Sequence, residues 1–415
     1  MIGIYLFTFV IFYLWSKFLY SNKVNPITIY SSIWLLCLII YNCGIIRYYP
    51  LRWDTFAYIY CANIVYVIGC TLGVYISKFS IKFTNYKYMR NMVEKQKVLK
   101  AVIILTSTIS GFSIIPSIIS SISTYGVNLL ANTSDMYFNE ISAAQESAFS
   151  FSAFIFVTSI YLGIYIVNYG FHSFLMYPLI MICLFAFSKG SRGTFVIVIF
   201  LLLASVLAPG NISFLSTDVI KKNLKKAFKL FLLFAIIVVA ITSVRRRGED
   251  VYYGFLALQF LSGTAIVSIL GYLASGIGCL NQFLIFPVTE EEPILFFRVF
   301  YLILNKLGIT NVETTIHFET YFTPIPGNVL TYIGELYIDF QDNLFIVILL
   351  LSFIYSFSYC KLSKHDSIFY RSLYATMFVY FVLSFFASFL HAAGLWYGLI
   401  MGILFSYIID YKVKV

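Results

Sequence analysis

The chain has 415 residues, of which 60% are hydrophobic and only 11% are charged. Soluble domains average about 45–50% apolar and about 25% charged residues, so this chain has too few charges to cover itself in water. Apolar runs of about 20 residues recur from end to end, and each is long enough to cross a bilayer as a helix. These features exclude an ordinary soluble domain, and the lack of alternation between apolar and polar residues argues against a β-barrel.

The formal net charge is +10. In a membrane protein such a surplus reflects Lys and Arg at the cytoplasmic ends of helices, so we expect membrane lipids as partners and no nucleic acid. The seven cysteines show no metal-binding or redox spacing and are typical of small apolar fillers. The sequence therefore predicts no metal site and no cofactor.

The predicted fold class is all-α, a polytopic integral membrane protein with about eleven transmembrane helices and a range of about ten to thirteen. The apolar runs behind this prediction lie near residues 1–20, 27–45, 56–77, 98–122, 148–168, 174–188, 194–209, 228–243, 344–359, 370–390 and 394–410. The first run lacks a basic start and a cleavage site, which favours a retained helix over a removed signal. We treat 1–415 as a single transmembrane domain that contains one long external loop, 244–343.

The long loop is expected to hold short helices, because most connections between helices need only about 2–8 residues. Residues 255–278 are apolar but rich in Gly and Ser, which is compatible with a twelfth span. We favour re-entrant or surface-lying helices, since non-helical backbone at membrane depth must pack against protein. Residues 296–307 have the pattern of a short amphipathic helix.

Basic residues predict the orientation of the chain. The segment from Lys78 to Lys100 contains seven Lys and Arg residues against one acid, Glu94, so we expect it to be cytoplasmic. Alternation from this segment places the N-terminus outside and the C-terminus in the cytoplasm. The exception to the positive-inside pattern is a triplet at the start of the long loop, Arg245, Arg246 and Arg247. Exceptions to a strong rule are where function is expected.

Lys189 and Arg192 flank a glycine-rich turn between two short apolar runs. Ser191 suits the cap of the helix that we expect to begin at residue 193 or 194. A helix N-terminus beside two cations favours a phosphate. The simpler alternative is that both cations reach lipid headgroups.

Two further cationic groups lie in the long loop, the Arg245–Arg247 triplet and Arg298. Three adjacent arginines cannot all face one way on a helix, so at most two of them would converge on one ligand. Bidentate Arg side chains suit diphosphates better than Lys does. The triplet is alternatively an interfacial anchor to anionic lipid.

Glu335 and Asp339 are four residues apart and share one face if their segment is helical. They precede the apolar run at 344–359, which places them at its outer mouth. A partly desolvated carboxylate there suits a general base for a hydroxyl, and the competing explanation is stabilisation of a helix N-terminus. His317 is a candidate proton carrier, although a lone loop histidine is more often simply solvated, and His391 resembles it in this respect. Tyr332 and Tyr337 lie near the acids, where their rings suit either sugar faces or an interfacial belt.

Three segments, in order, resemble the Wzy-type oligosaccharide repeat-unit polymerases, the O-antigen polymerase family. Residues 189–193 are similar to the family's Gly-Ser-Arg-Gly turn. Residues 272–281 resemble its Tyr-Leu-x-x-Gly…Phe-Asn stretch, with Leu280 where Phe is usual. Residues 328–340 resemble its Asn-x-x-Thr…Asp-Phe-Gly segment, with Gln341 in place of the final glycine.

The resemblance implies a metal-independent membrane glycosyltransferase of the bacterial cytoplasmic (inner) membrane. It would polymerise undecaprenyl-diphosphate-linked oligosaccharide repeat units into O-antigen or capsule-type polysaccharide at the outer face, with a chain-length regulator protein as a further potential partner. In this scheme cations neutralise the leaving diphosphate, and an acid or His317 takes the acceptor proton. The implied diphosphate and glycan-binding residues are Lys189, Arg192, Arg245, Arg246, Arg247, Arg298, Asn328, Thr331, Tyr332 and Tyr337.

Two alternatives remain open from the sequence. A transporter (flippase) for lipid-linked oligosaccharides is expected to show inverted repeats and binding residues at mid-membrane, whereas the charges here cluster in one long loop. The related O-antigen ligase uses residue types too similar for the sequence to separate it from a polymerase.

Overall fold

The computed structural model describes residues 1–20, 22, 24–79, 92–125, 151–188, 192–209, 265–290, 292–314, 320–323, 326–363 and 367–411. Over these ranges the chain is almost entirely helical, with one two-stranded ladder that pairs β1 (Tyr321–Phe322) and β2 (Pro326–Gly327). The helices in the described ranges are α1 (Ile2–Leu19), α2 (Pro26–Asn42), α3 (Trp53–Phe79), α4 (Met92–Tyr125), α5 (Phe154–Tyr169), α6 (Met176–Ser188), α7 (Arg192–Leu207), α8 (Ala265–Phe283), α9 (Ile294–Lys306), α10 (Tyr332–Phe340), α11 (Leu344–Leu362), α12 (Ile368–Val382) and α13 (Ala393–Tyr411).

Five helical stretches of the described chain are long and apolar enough to cross a membrane. They are Ile2–Leu19, Trp53–Phe79, Glu94–Thr124, Phe151–Tyr169 and Tyr332–Leu362. Shorter apolar helices of 10–17 residues accompany them. The prediction of an all-α chain with membrane-spanning helices is thus confirmed at this level, by length and composition.

The long loop contains the short amphipathic helix that the sequence predicts. α9 buries Leu295, Val299 and Leu302, which are spaced four and three residues apart, and exposes Phe297 and Phe300 on other faces. A helix with one buried apolar stripe and further exposed aromatics is typical of an interfacial position. The other apolar stretch of this loop is helical from Ala265 to Phe283 as α8, and residues 255–264 lie outside the described ranges.

The prediction of a continuous span over residues 370–390 is wrong in its second half. α12 ends at Val382, and the chain then runs through turns to a 3-10 turn at Phe389–His391. The backbone of this segment forms turns of its own and also bonds to α10, since the carbonyl of Ser384 accepts from the amide of Tyr332 at 2.9 Å. Irregular backbone at membrane depth is tolerated where protein satisfies its polar groups in this way.

The described chain divides into two compact units. Unit 1 comprises Met1–Lys78, Arg246–Phe357 and Tyr380–His391. Within it α2 packs against α1 and α8, and α9 packs against α10 and the 3-10 turn Phe389–His391. The side chain of Asn281 on α8 is buried and fixes the segment before α3: its oxygen accepts from the Arg52 amide and the Thr55 hydroxyl, at 3.0 and 2.9 Å.

Unit 2 comprises Phe79–Arg245, Ser358–Val379 and Ala392–Val415. Its centre is α5, which packs against α4, α7 and α13, while α4 also packs against α6. Gly163 makes the contact between α5 and α7 close, because a Cβ at this position would lie 2.6 Å from the Leu202 carbonyl oxygen. Small residues allow such backbone approach between helices in a bilayer.

Candidate active site

α10 is a nine-residue helix that carries the two acids predicted as catalytic. It begins after Thr331, whose backbone is extended, and ends at Gln341, whose φ of 49° lies in the left-handed region. Glu335 and Asp339 both lie on its buried face, with 1% and 8% of their surfaces exposed. The helical spacing thus places both carboxylates on one face, as predicted. Both are more deeply buried than we expect for side chains at the outer end of a membrane-spanning helix.

Glu335 contacts the irregular segment that follows α12. Its Oε2 accepts the amide N–H of Ser388 at 3.0 Å and lies 3.3 Å from Nδ1 of His391. Both contacts stabilise the ionised carboxylate, because a backbone N–H and an imidazole N–H are donors. A carboxylate this buried requires such partners, since an unpaired charge removed from water is costly.

The same contact orients His391. With Nδ1–H donating to Glu335, the basic lone pair of the neutral ring lies on Nε2, at the opposite side. The His391 side chain is 20% exposed, whereas that of Glu335 is 1% exposed. His391 is therefore the member of the pair with accessible surface, and Glu335 lies behind it. The role of Glu335 as the group that accepts a proton from a hydroxyl stays a prediction.

An aromatic cluster packs beside this pair. Tyr332 is completely buried, and its hydroxyl is 2.6 Å from that of Tyr30. Tyr380 packs edge-on against Tyr332, with ring centroids 6.1 Å apart, and its hydroxyl accepts from the Ser388 hydroxyl at 3.4 Å. In this arrangement Tyr332 is a packing residue that fixes α10, and it presents no surface to a sugar.

Asp339 has a different partner from Glu335. Its two carboxylate oxygens accept the amide N–H groups of Leu295 and Phe296, at 3.1 and 2.6 Å. These are orphan donors in the first turn of α9, so Asp339 caps that helix from another element. The carboxylate also lies at the positive end of the α9 dipole. These contacts support a structural role for Asp339, and its role as general base stays a prediction.

We expect Asp339→Asn to lower the stability of the protein by about 1–2 kcal/mol, because the neutral amide loses one acceptor and the charge at the helix N-terminus. Thermal unfolding of the detergent-purified protein measures this. Asp54→Asn is the matched control, since the Asp54 side chain is 67% exposed and contacts only Arg52 among the interactions of its carboxylate that the structure describes. Equal unfolding temperatures for the two variants would contradict the assignment of Asp339 as a helix cap.

Arg298 lies on α9, two and three residues after the amides that Asp339 caps. Its Nε donates to the Thr314 carbonyl at 3.1 Å, which ties α9 to the chain that follows it. Burial lowers the pKa of the Arg298 guanidinium from its ordinary value. Arginine still remains protonated at neutral pH, so a half-buried positive charge is fixed on this helix.

The other predicted glycan-binding residues of unit 1 differ in exposure. Asn328 is exposed, whereas Thr331 is completely buried, and its hydroxyl has no hydrogen-bond partner among the described residues. Tyr337 is half-buried between two rings, those of Phe283 and Tyr58, with centroids 5.9 and 5.6 Å away. Of these three side chains, Asn328 is the one with an open surface for a ligand.

Several predicted residues fall outside the described ranges, namely Lys189, Arg245, Arg246, Arg247 and His317. Arg192 is the first residue of α7, so the helix begins one or two residues earlier than predicted. The proposed capping residue Ser191 also lies outside the described ranges.

From the sequence, His391 was a minor candidate and Ser388 was not a candidate at all. A signal for His391 was present, because the predicted topology puts the end of the 370–390 run and the start of the 344–359 run on the same side of the membrane. A histidine at one of these ends and an acid at the other are candidates for a pair. The break after Val382, which turns the Ser388 amide toward Glu335, has no comparable signal in an apolar sequence.

Comparison with known proteins gave no match: no family model, no curated protein and no solved structure is similar to this chain.

Proposed function

We propose that this protein is a bacterial cytoplasmic-membrane glycosyltransferase that polymerises undecaprenyl-diphosphate-linked oligosaccharide repeat units at the outer face of the membrane. The observation that carries the proposal is the buried Glu335 carboxylate that orients the partly exposed ring of His391. An imidazole oriented by a buried acid is suited to remove a proton from a hydroxyl.

The sequence resemblance supports the same reaction. Gln341 stands where the resembled pattern has glycine, and its φ of 49° is a conformation that glycine adopts without strain. The three resembling segments also include α10, which carries Glu335. No metal is required by this chemistry, because cationic side chains serve to neutralise a diphosphate.

The proposed step transfers the growing glycan from one carrier to the terminal sugar of another repeat unit. The bond between the anomeric carbon and the diphosphate oxygen breaks, and a bond from that carbon to the acceptor hydroxyl oxygen forms. The hydroxyl proton passes to Nε2 of His391, and from there to water. The leaving diphosphate keeps the electron pair of the broken bond, and the half-buried charge of Arg298 is proposed to stabilise it.

We expect Arg298→Ala to slow polymerisation by about 10²–10³-fold, the usual effect of removing one group that stabilises developing charge. Lys306→Ala is the matched control, because it removes one positive charge from the exposed end of the same helix. Cells that carry each variant are compared by the ladder of glycan lengths on a gel. Glycan ladders of normal length in the Arg298 variant would contradict the proposal that Arg298 stabilises the diphosphate.

Deletion of the chromosomal gene that encodes this protein, in the bacterium it comes from, tests the proposed function. A polymerase deletion leaves surface glycans with a single repeat unit, and complementation restores the ladder. If the protein is a transporter, no repeat unit reaches the surface. If it is the ligase, long polymer accumulates on the carrier lipid instead of on its final acceptor. Either of the last two results would overturn the proposal.

A further inference from the structure

Unit 2 contains a cavity that the proposed reaction does not use. It has a volume of about 330 Å³ and lies between the first turns of α4, the end of α5 and the 3-10 turn Ser173–Leu175 that leads into α6. This volume is at the lower end of the range of ligand pockets, about 300–1,000 Å³. The cavity therefore has room for a small polar group such as a lipid headgroup.

The lining of the cavity is cationic. Lys97 and Lys100 are three residues apart on α4, which places them on one face of the helix. Both side chains are exposed, and no carboxylate is among the residues that line the cavity in the described part of the chain. The electrostatic potential in the cavity therefore favours an anion.

Neutral polar groups and rings complete the cavity wall and hold it in place. Gln96 donates from Nε2 to the Tyr165 hydroxyl at 3.0 Å, and Tyr165 is 2% exposed. The ammonium of Lys100 lies 4.8 Å from the centroid of Phe174, which restricts its position. His172 Nε2 lies 3.1 Å from the Tyr169 carbonyl, and because a carbonyl only accepts, Nε2 carries the hydrogen.

The helical stretch that begins at Ser173 adds further donors. Ser173 and Phe174 both line the cavity, and the residue before them, His172, provides no side-chain cap for their amides. Ser173 and Phe174, at the start of this stretch, thus line the same cavity as the two lysines. Several donors around one small space suit a phosphate, whose oxygens accept from several directions, better than a planar carboxylate.

We propose that the cavity formed by Lys97, Lys100, His172, Ser173 and Phe174 binds the phosphate group of an anionic ligand. Two sources share this chemistry, the phosphodiester headgroup of an anionic lipid and a soluble phosphate. Basic pockets between transmembrane helices are known binding places for anionic headgroups. The site is independent of the proposed glycosyl transfer, because all of its residues belong to unit 2 and the Glu335–His391 pair belongs to unit 1.

The test measures binding to the detergent-purified full-length protein by native mass spectrometry and by thermal stabilisation. The probes are phosphatidylglycerol, phosphatidylcholine and inorganic phosphate. The double variant Lys97→Gln/Lys100→Gln is compared with Lys17→Gln/Lys78→Gln, which removes the same charge from two exposed lysines outside the cavity. Lys97→Arg/Lys100→Arg, which keeps both charges, is expected to retain binding.

We expect the cavity variant to bind at least about tenfold more weakly than the wild type, and the Lys17/Lys78 variant to bind normally. Selective binding of phosphatidylglycerol over phosphatidylcholine identifies the ligand as a lipid headgroup. Binding of inorganic phosphate that the cavity variant loses identifies a soluble phosphate. The proposal is overturned if neither phosphatidylglycerol nor inorganic phosphate binds. It is also overturned if the Lys97/Lys100 and Lys17/Lys78 glutamine variants lose affinity equally, since binding would then follow net charge alone.

Discussion

His391→Gln is expected to slow glycosyl transfer by about 10²–10⁴-fold, the usual contribution of a general base. Glutamine keeps polar atoms near Glu335, but it has no basic nitrogen to take the acceptor proton. The measurement is the initial rate of polymer formation in membranes that contain equal amounts of wild-type or variant protein. Because the His391 side chain is partly exposed, we expect the variant to fold and to enter the membrane normally.

Glu335→Gln serves as the companion variant. It preserves the shape of the side chain but removes the charge that orients the imidazole and stabilises it once it is protonated. We expect a loss of similar order, and a double variant no slower than the slower single one, because residues that act as a unit are not additive. Full activity of His391→Gln, or strictly multiplicative losses in the double variant, would contradict the assignment of the pair.

The largest effect on stability is expected for Gly73→Val, at about 3 kcal/mol. A Cβ at Gly73 would lie 2.6 Å from the carbonyl oxygen of Phe353 and 2.9 Å from the amide nitrogen of Phe357. Both neighbours are backbone atoms of α11, so α3 and α11 would have to separate within unit 1. Close approach of helix backbones at small residues is a main source of association energy in bilayers.

Thermal unfolding in detergent, together with the yield of monodisperse protein, measures this prediction. Gly3→Val on α1 is the matched control, since a Cβ there meets nothing within 4 Å. We expect Gly73→Val to unfold at a clearly lower temperature and Gly3→Val to behave as the wild type. If both variants keep the wild-type unfolding temperature, the close packing of α3 against α11 does not contribute as described.

The helical class and the membrane-crossing length of several elements could be predicted from sequence, because both depend on local properties. Hydrophobicity summed over about 20 residues determines whether a segment can cross a bilayer. The amphipathic helix α9 could be predicted equally well, since the spacing of Leu295, Val299 and Leu302 matches the helical repeat. Four-residue spacing also correctly placed Glu335 and Asp339 on one face of a helix.

The hydrogen-bond partners of the two acids could not be predicted, because each partner lies far away in the sequence. Asp339 binds amides 43 and 44 residues earlier, and Glu335 binds groups 53 and 56 residues later. The spacing that places both acids on one face does not distinguish a helix cap from a support for a histidine. The end of α12 at Val382 could not be predicted either, since residues 383–389 contain no Gly or Pro that would indicate a break.

The most direct test of the central claim is synthesis by the purified protein in proteoliposomes. The lipid contains undecaprenyl-diphosphate-linked repeat units, EDTA is present, and products are separated by gel and identified by mass spectrometry. We predict a ladder of whole-number multiples of the repeat unit, with one undecaprenyl diphosphate released for each glycosidic bond, and loss of that ladder with His391→Gln. Movement of lipid-linked sugar across the bilayer with no new glycosidic bond would contradict this account.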